Sequence, residues 1–192
     1  MLLASAAVTL RRRTDRGAAP ATESKSTLTS ITPRRVWILL ALVSAGAVLA
    51  SFGLTAWLDL SPCYLCIFQR TLFMVLTLLA ALAALGRMLA WVAGPLFILG
   101  SAVGIGAASY QTWLQLQPPD SVSCVGGQPG IIERLVEWLA QQSPALFLAT
   151  GFCEDKELVI LGLSLANWAL LGFAAGLAAA LWASWRARRA WP

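Results

Sequence analysis

Four blocks of apolar residues separated by polar connections dominate the chain. Val36–Leu58 carries no charge before Asp59, and Leu89–Tyr110 and Leu158–Trp185 carry none. Each block reaches the roughly 20 apolar residues that an α-helix needs to cross a bilayer. The remaining block, Thr71–Leu85, has only 15 residues, about 22 Å of helix against about 30 Å of hydrocarbon. Its helix is therefore expected to extend backward through Arg70 and Phe68 toward Cys66, with the Arg70 stem snorkelling in the interfacial layer. The pattern predicts an all-α integral membrane protein: a four-transmembrane-helix bundle with spans at about 36–58, 67–86, 89–110 and 161–182. The connections on the cysteine side cover about 59–66 and 111–160.

A second periodicity lies inside the longer connection. Pro118-Pro119-Asp120 and Gly126-Gly127-Gln128-Pro129-Gly130 are turn signals. After them, Ile131, Ile132, Leu135, Val136 and Leu139 recur at helical spacing, with Glu133, Arg134 and Glu137 on the opposing side. The segment Ile131–Gln142 is expected to form a short amphipathic surface helix, with Trp138 suited to the headgroup boundary. Packing against the top of the bundle is the competing expectation. Gly172 and Gly176, four residues apart, read as positions of close helix packing.

Composition strengthens the membrane assignment, since 58% of the 192 residues are hydrophobic against roughly 45–50% in soluble domains. Orientation follows from lysine and arginine alone. Arg11, Arg12, Arg13, Arg16, Lys25, Arg34 and Arg35 precede the first span, Arg87 lies between spans two and three, and Arg186, Arg188 and Arg189 follow the last. The other side holds only Arg70, Arg134 and Lys156. Both termini are thus expected in the cytoplasm, with the two cysteine-bearing loops outside it. Residues 1–35 read as a mobile basic cytoplasmic tail and 186–192 as a second, short one. An apolar stretch precedes Arg11–Arg13, the reverse of the order in a secretory signal. The net charge of +5 is explained by this asymmetry and by contact with the lipid bilayer, so no nucleic acid is implied.

The chemistry is carried by four cysteines. Cys63 and Cys66 stand in Pro62-Cys63-Tyr64-Leu65-Cys66-Ile67-Phe68-Gln69-Arg70, at the mouth of the second span, and Cys124 and Cys153 share the long connection. A helix that begins near Cys63 puts Cys66 on a similar face, with Arg70 following at i+4. A nearby guanidinium and a helix N-terminus both favour thiolate over thiol. A disulfide between Cys124 and Cys153 could be a structural staple, contributing on the order of 2–4 kcal/mol. A Cys63–Cys66 disulfide closes almost no loop, which favours redox traffic. Zinc is the competing use of four thiolates, but the second pair lacks tight ligand spacing and the chain has no histidine; no metal is expected. The lack of histidine also removes Ser-His-Asp and Cys-His hydrolases, and no phosphate-cradling glycine motif occurs.

Taken together, these residues resemble the disulfide bond formation protein B family (DsbB). The resemblance lies in Pro62-Cys63-x-x-Cys66-Ile67-x-x-Arg70, the paired cysteines of the second loop and the four-span layout. It extends to Leu114-Gln115-Leu116, Gly151–Cys153, Leu161-Gly162-Leu163 and Trp168-x-Leu170-x-Gly172. It covers about Val36 to Trp185 and leaves the basic tail aside. It implies a bacterial inner-membrane enzyme that reoxidises a periplasmic DsbA-type dithiol oxidant and passes electrons to a membrane quinone, ubiquinone or menaquinone. By that resemblance Cys63–Cys66 and Cys124–Cys153 are the redox-active pairs, and Cys124 forms the mixed disulfide with the partner. A transient Cys63–Cys153 bond follows, Cys66 donates to the quinone, and Arg70 sits beside it. DsbA-type oxidants stand at about −120 mV, so their reoxidation requires a sink at higher potential.

Two departures are visible. Gln69 occupies a position often acidic in the family, and without histidine the candidates for proton delivery or positioning are water, Gln111 and Tyr110. Two other readings compete with this one. One is electron flow in the opposite sense, as in vitamin K epoxide reductase-like proteins. The other is a non-enzymatic membrane protein with two structural disulfides.

Overall fold

The computed structural model describes residues 32–117, 130–155 and 158–189. Residues 1–31 of the expected first tail, residues 190–192 of the second, the turn signals up to Pro129, Cys124 and Lys156 lie outside them, as does the side chain of Arg188; residues 33–35 and 186–189, expected as tail, are helical. Four long helices run α1 Pro33–Leu58, α2 Tyr64–Leu85, α3 Arg87–Leu114 and α6 Leu165–Arg189. All four are long and apolar enough to cross a membrane. Between α3 and α6 come α4 Ile131–Gln142, the single turn α5 Pro144–Phe147, and a two-stranded antiparallel hairpin of β1 Val159–Ile160 and β2 Leu163–Ser164.

Local chemistry sets the helix ends. Pro33 sits in the first turn of α1, where a missing N–H costs nothing. The helix stops where Asp59 turns left-handed (φ 49°) and its N–H bonds back to the Thr55 carbonyl. Pro62 then keeps the chain extended, and Cys63 caps α2 by accepting the Cys66 N–H on its sulfur at 3.4 Å. The second span thus gains the residues that the Thr71–Leu85 block lacked: 22 in all, about 33 Å. Gly86 alone joins α2 to α3.

The bundle is inverted relative to a soluble protein. Leu39, Leu42, Leu78, Val92, Leu99 and Leu171 are exposed on the long helices, while Ser44, Gln69, Arg70, Ser101 and Gln111 are buried. An apolar rim around a partly polar interior is the arrangement a lipid solvent selects. In the middle of the bundle Phe73 stacks on Phe173 with centroids 4.1 Å apart, and Trp37 meets Phe97 edge-on. Small residues let the backbones approach: Gly172 faces the Phe73 ring, and a Cβ on Gly104 would lie 2.5 Å from Phe173. Gly176 makes only ordinary contact with Phe97, so the tightest glycine of the four long helices is Gly104, which the spacing of Gly172 and Gly176 did not announce.

Two other features differ from the sequence pattern. The apolar run from Leu158 begins as the hairpin, with Leu161 (φ 53°) and Gly162 (φ 81°) at its corner, the two positive φ angles of a tight hairpin turn. Helix α6 therefore starts at Leu165. On α4 the apolar residues divide into two stripes. Val136 is buried and Ile132 and Leu139 half-buried toward the protein, whereas Ile131, Leu135 and Trp138 are exposed. The Val136 face meets the expectation of packing on the bundle, and the Ile131, Leu135 and Trp138 face is left on the outside.

Candidate functional site

The sulfur cluster forms where the α2 N-terminus meets the returning loop. Cys63, Cys153, Leu65 and Leu114 make one buried cluster, with Cys66 and Ile132 of α4 packed against it. The loop is held by its backbone: the N–H groups of Thr150 and Gly151 both donate to the Pro62 carbonyl, at 3.0 and 3.3 Å. Gly151 lies so close to Ser61 that any Cβ would collide with the Ser61 carbonyl. This seat, two residues before Cys153 and one before Cys63, delivers one cysteine onto the other. A second set of bonds ties down the far side of the loop. Gln115 Nε2 donates to the Asp155 carbonyl at 3.3 Å, and the Ser164 hydroxyl donates to Gln115 Oε1 at 2.7 Å.

Cys63 and Cys153 are 2% and 3% exposed. Hydrogen bonding between Cys63 and Cys153, then with Cys66, then burial hold the Cys63 proton on and push its pKa well above the ordinary thiol value. The Cys63 thiol donates to Cys66 Sγ at 3.2 Å. Cys66 also faces Gln111, whose Nε2 lies 3.1 Å from its sulfur and 3.5 Å from that of Cys63. Gln69 Nε2 donates to Gln111 Oε1 at 2.7 Å. Tyr110, the neighbouring candidate, is half exposed and stacked on Trp113.

Arg70 is only 6% exposed, so it does not snorkel to the surface. Its Nε donates to Ser51 Oγ at 3.0 Å and a terminal nitrogen to Thr55 Oγ1 at 2.8 Å, while the guanidinium lies 4.2 Å from the Phe52 ring centroid. Ser51 and Thr55 are four residues apart on α1, a polar notch in an apolar run whose partner the spacing alone did not name. The guanidinium has five N–H groups and these two bonds use two.

These polar groups stand at the head of a cleft of about 660 Å³ between α1 and α6. Cys66, Gln69, Arg70 and Gln111 line one end, and Leu40, Val43, Ala47, Ala169, Ala175 and Ala179 are among the residues lining the rest. A buried cation with donors to spare, above a long apolar slot that follows two spans, fits an amphiphile with hydrogen-bond acceptors on its head. The donor set fits a quinone.

Comparison with known proteins agrees with this geometry. The family profile "Disulfide bond formation protein DsbB" matches residues 33–183. Disulfide bond formation protein B of Dechloromonas aromatica is 43% identical over 148 residues, 74% of this chain and 87% of that protein. The Azoarcus protein of the same name is 37% identical over 76% of this chain and 89% of its own length. That of Burkholderia ambifaria is 35% identical over 85% of this chain and 96% of its own. With four membrane-suited helices and Cys63, Cys66 and Cys153 gathered at one end of them, the chain belongs to the DsbB family, oxidoreductases of disulfide bond formation.

Proposed function

We propose that this protein reoxidises a DsbA-type thioredoxin-fold dithiol and hands the electrons to a membrane quinone through two cysteine pairs. The observation that carries the reading is the placement of Cys63 between Cys153 on one side and Cys66, at the head of the apolar cleft, on the other.

A thiolate of the reduced partner attacks Cys124 of the Cys124–Cys153 disulfide, forming a mixed disulfide and releasing Cys153 as thiolate. Cys153 then attacks Cys63 of the Cys63–Cys66 disulfide, so that a Cys63–Cys153 bond forms and Cys66 leaves as thiolate. The second partner thiol attacks the mixed disulfide and frees Cys124, and the partner departs oxidised. Arg70 and Gln111 would hold the quinone head near the Cys66 sulfur. A bound quinone supplies the sink for the two electrons and two protons that the partner's thiols lose. The Cys124 thiolate attacks Cys153, the Cys63–Cys153 bond breaks and Cys63 leaves as thiolate; Cys63 and Cys66 would then close their own disulfide as that pair gives up the two electrons, so both disulfides are restored. The buried setting of Cys63 and Cys153 keeps water and stray thiols from the exchange.

Sidedness is part of the proposal. Arg34, Arg87, Arg186 and Arg189 lie at the helix ends opposite the cysteines, where Arg34 reaches the Ala84 carbonyl and Arg186 and Arg189 stack on Trp182 and Trp185. By the positive-inside rule that end faces the cytoplasm and the sulfur end the periplasm of the bacterial inner membrane. The deciding measurement is loss of a soluble quinone on adding reduced partner to the full chain in lipid nanodiscs. Wild type turns over, and Cys66→Ala and Cys124→Ala do not. Equal turnover in all three would end the relay reading.

A further inference from the structure

Two amides stand beside the sulfurs without a part in the cysteine exchange. Gln69 of α2 and Gln111 of α3 are 4% and 2% exposed. Burying two primary amides within a membrane bundle is costly unless their polar atoms are matched. They match each other on one side only: Gln69 Nε2 donates to Gln111 Oε1 at 2.7 Å. An amide offers an acceptor at one corner and two N–H donors at the other. With its oxygen held by Gln69, the Gln111 nitrogen is turned toward Cys66 Sγ and Cys63 Sγ.

The two sulfurs are not equivalent. Cys66 Sγ receives the Gln111 N–H at 3.1 Å and the Cys63 thiol at 3.2 Å. Cys63 Sγ is the more distant from Gln111, at 3.5 Å, and gives its proton toward Cys66. Two donors converging on one sulfur stabilise negative charge there.

We propose that Gln111 is a further catalytic residue, whose N–H group selects Cys66 over Cys63 as the electron-donating thiolate, and that Gln69 is the positioning residue that fixes the Gln111 amide. Neither amide ionises, so the Gln111 N–H remains a donor to Cys66 whether or not Cys63 carries its proton. This stands in a chain with no histidine. The stoichiometry of the exchange is unchanged: each disulfide formed still releases two electrons and two protons. The inference rests on the relay for its purpose, but the preference between sulfurs belongs to the reduced protein and is read without quinone.

The test uses the reduced full chain in nanodiscs and follows iodoacetamide alkylation of Cys66 and Cys63 separately, by peptide mass spectrometry, across pH. In wild type Cys66 reacts faster than Cys63 at neutral pH. Gln111→Met, similar in shape but without a donor, slows Cys66 about tenfold and moves its pH midpoint upward. Gln111→Glu slows it further at high pH and recovers in part on acidification, when the carboxyl can donate again. Gln69→Leu acts in the same direction but more weakly, and the Gln69→Leu/Gln111→Met pair is no slower than Gln111→Met alone. If Gln111→Met does not fold, Gln111→Asn, a shorter amide, gives an intermediate rate. A wild-type Cys66 profile in Gln111→Met or Gln111→Asn overturns the role of Gln111. Additive effects of the two substitutions overturn the role of Gln69. Quinone turnover measured on the same wild-type preparation separates the two readings, because its absence beside an intact Cys66 preference removes the relay and leaves the selection standing.

Discussion

At the sulfur end of the bundle, Gln69, Arg70, Gln111 and Gln115 are buried and hydrogen-bonded, and a loop is seated by two N–H groups on one carbonyl. In the middle of the same bundle, Phe73, Phe173 and Phe97 meet small residues, and contact is ring on backbone. The first region is specified by direction, since each donor must find its acceptor. The second is specified by shape, through glycines that no larger residue replaces. Damage to the first is expected to leave a folded but inactive protein. Damage to the second is expected to lower stability while leaving the chemistry of surviving molecules intact.

The largest test of this contrast is Gly151→Val. A side chain there must push the loop off the Ser61 carbonyl and break the Thr150 and Gly151 bonds to Pro62, moving Cys153 away from Cys63. Misplacement of a reacting group by about 1 Å can cost about a hundredfold in rate, and that is the drop expected in quinone turnover. The thermal midpoint in nanodiscs should stay near that of wild type, because the seat lies outside the apolar core. A coupled loss of midpoint and turnover would merge the two regions into one.

Gly104→Val probes the other side. Its Cβ would enter the Phe173 ring, and overpacking of this kind costs about 1–3 kcal/mol. Denaturant unfolding followed by tryptophan fluorescence should show that loss, whereas turnover per folded molecule should remain close to wild type. If turnover falls with stability intact, the Phe73–Phe173 layer supports the cleft directly and the contrast weakens.

The two regions also differ in how far they can be read from sequence. The four spans follow from block length and missing charge, properties of each segment alone. The backward extension of the second span followed from the same arithmetic, and Cys63 completes it as a sulfur N-cap. The sulfur end depends on partners far apart in the chain. Gln69 and Gln111 are 42 residues apart on different spans, and nothing in either apolar run says that they face one another. Gly151 looks like any loop glycine, because the close approach of Ser61 is a property of the assembled loops. The hairpin was hidden for a different reason. Val159, Ile160, Leu161 and Leu163 continue the apolar run, and only Gly162 marked the corner.

The smallest expected effect comes from a polar residue inside the apolar middle region. Ser101 of α3 is fully buried, and its hydroxyl has no hydrogen-bond partner among the described residues. It sits opposite Gly176, whose added Cβ would come within 3.9 Å of its oxygen. Where the backbone ladder leaves a hydroxyl unmatched in an apolar layer, removing it relieves a desolvation cost, and alanine keeps the small volume that the α3–α6 contact requires. Ser101→Ala should therefore raise stability by up to about 1 kcal/mol, read as a higher denaturant midpoint with unchanged slope, and leave turnover unaltered. A fall in stability would mean that the hydroxyl is engaged in the membrane. The middle of the bundle would then share the directional logic of the sulfur end.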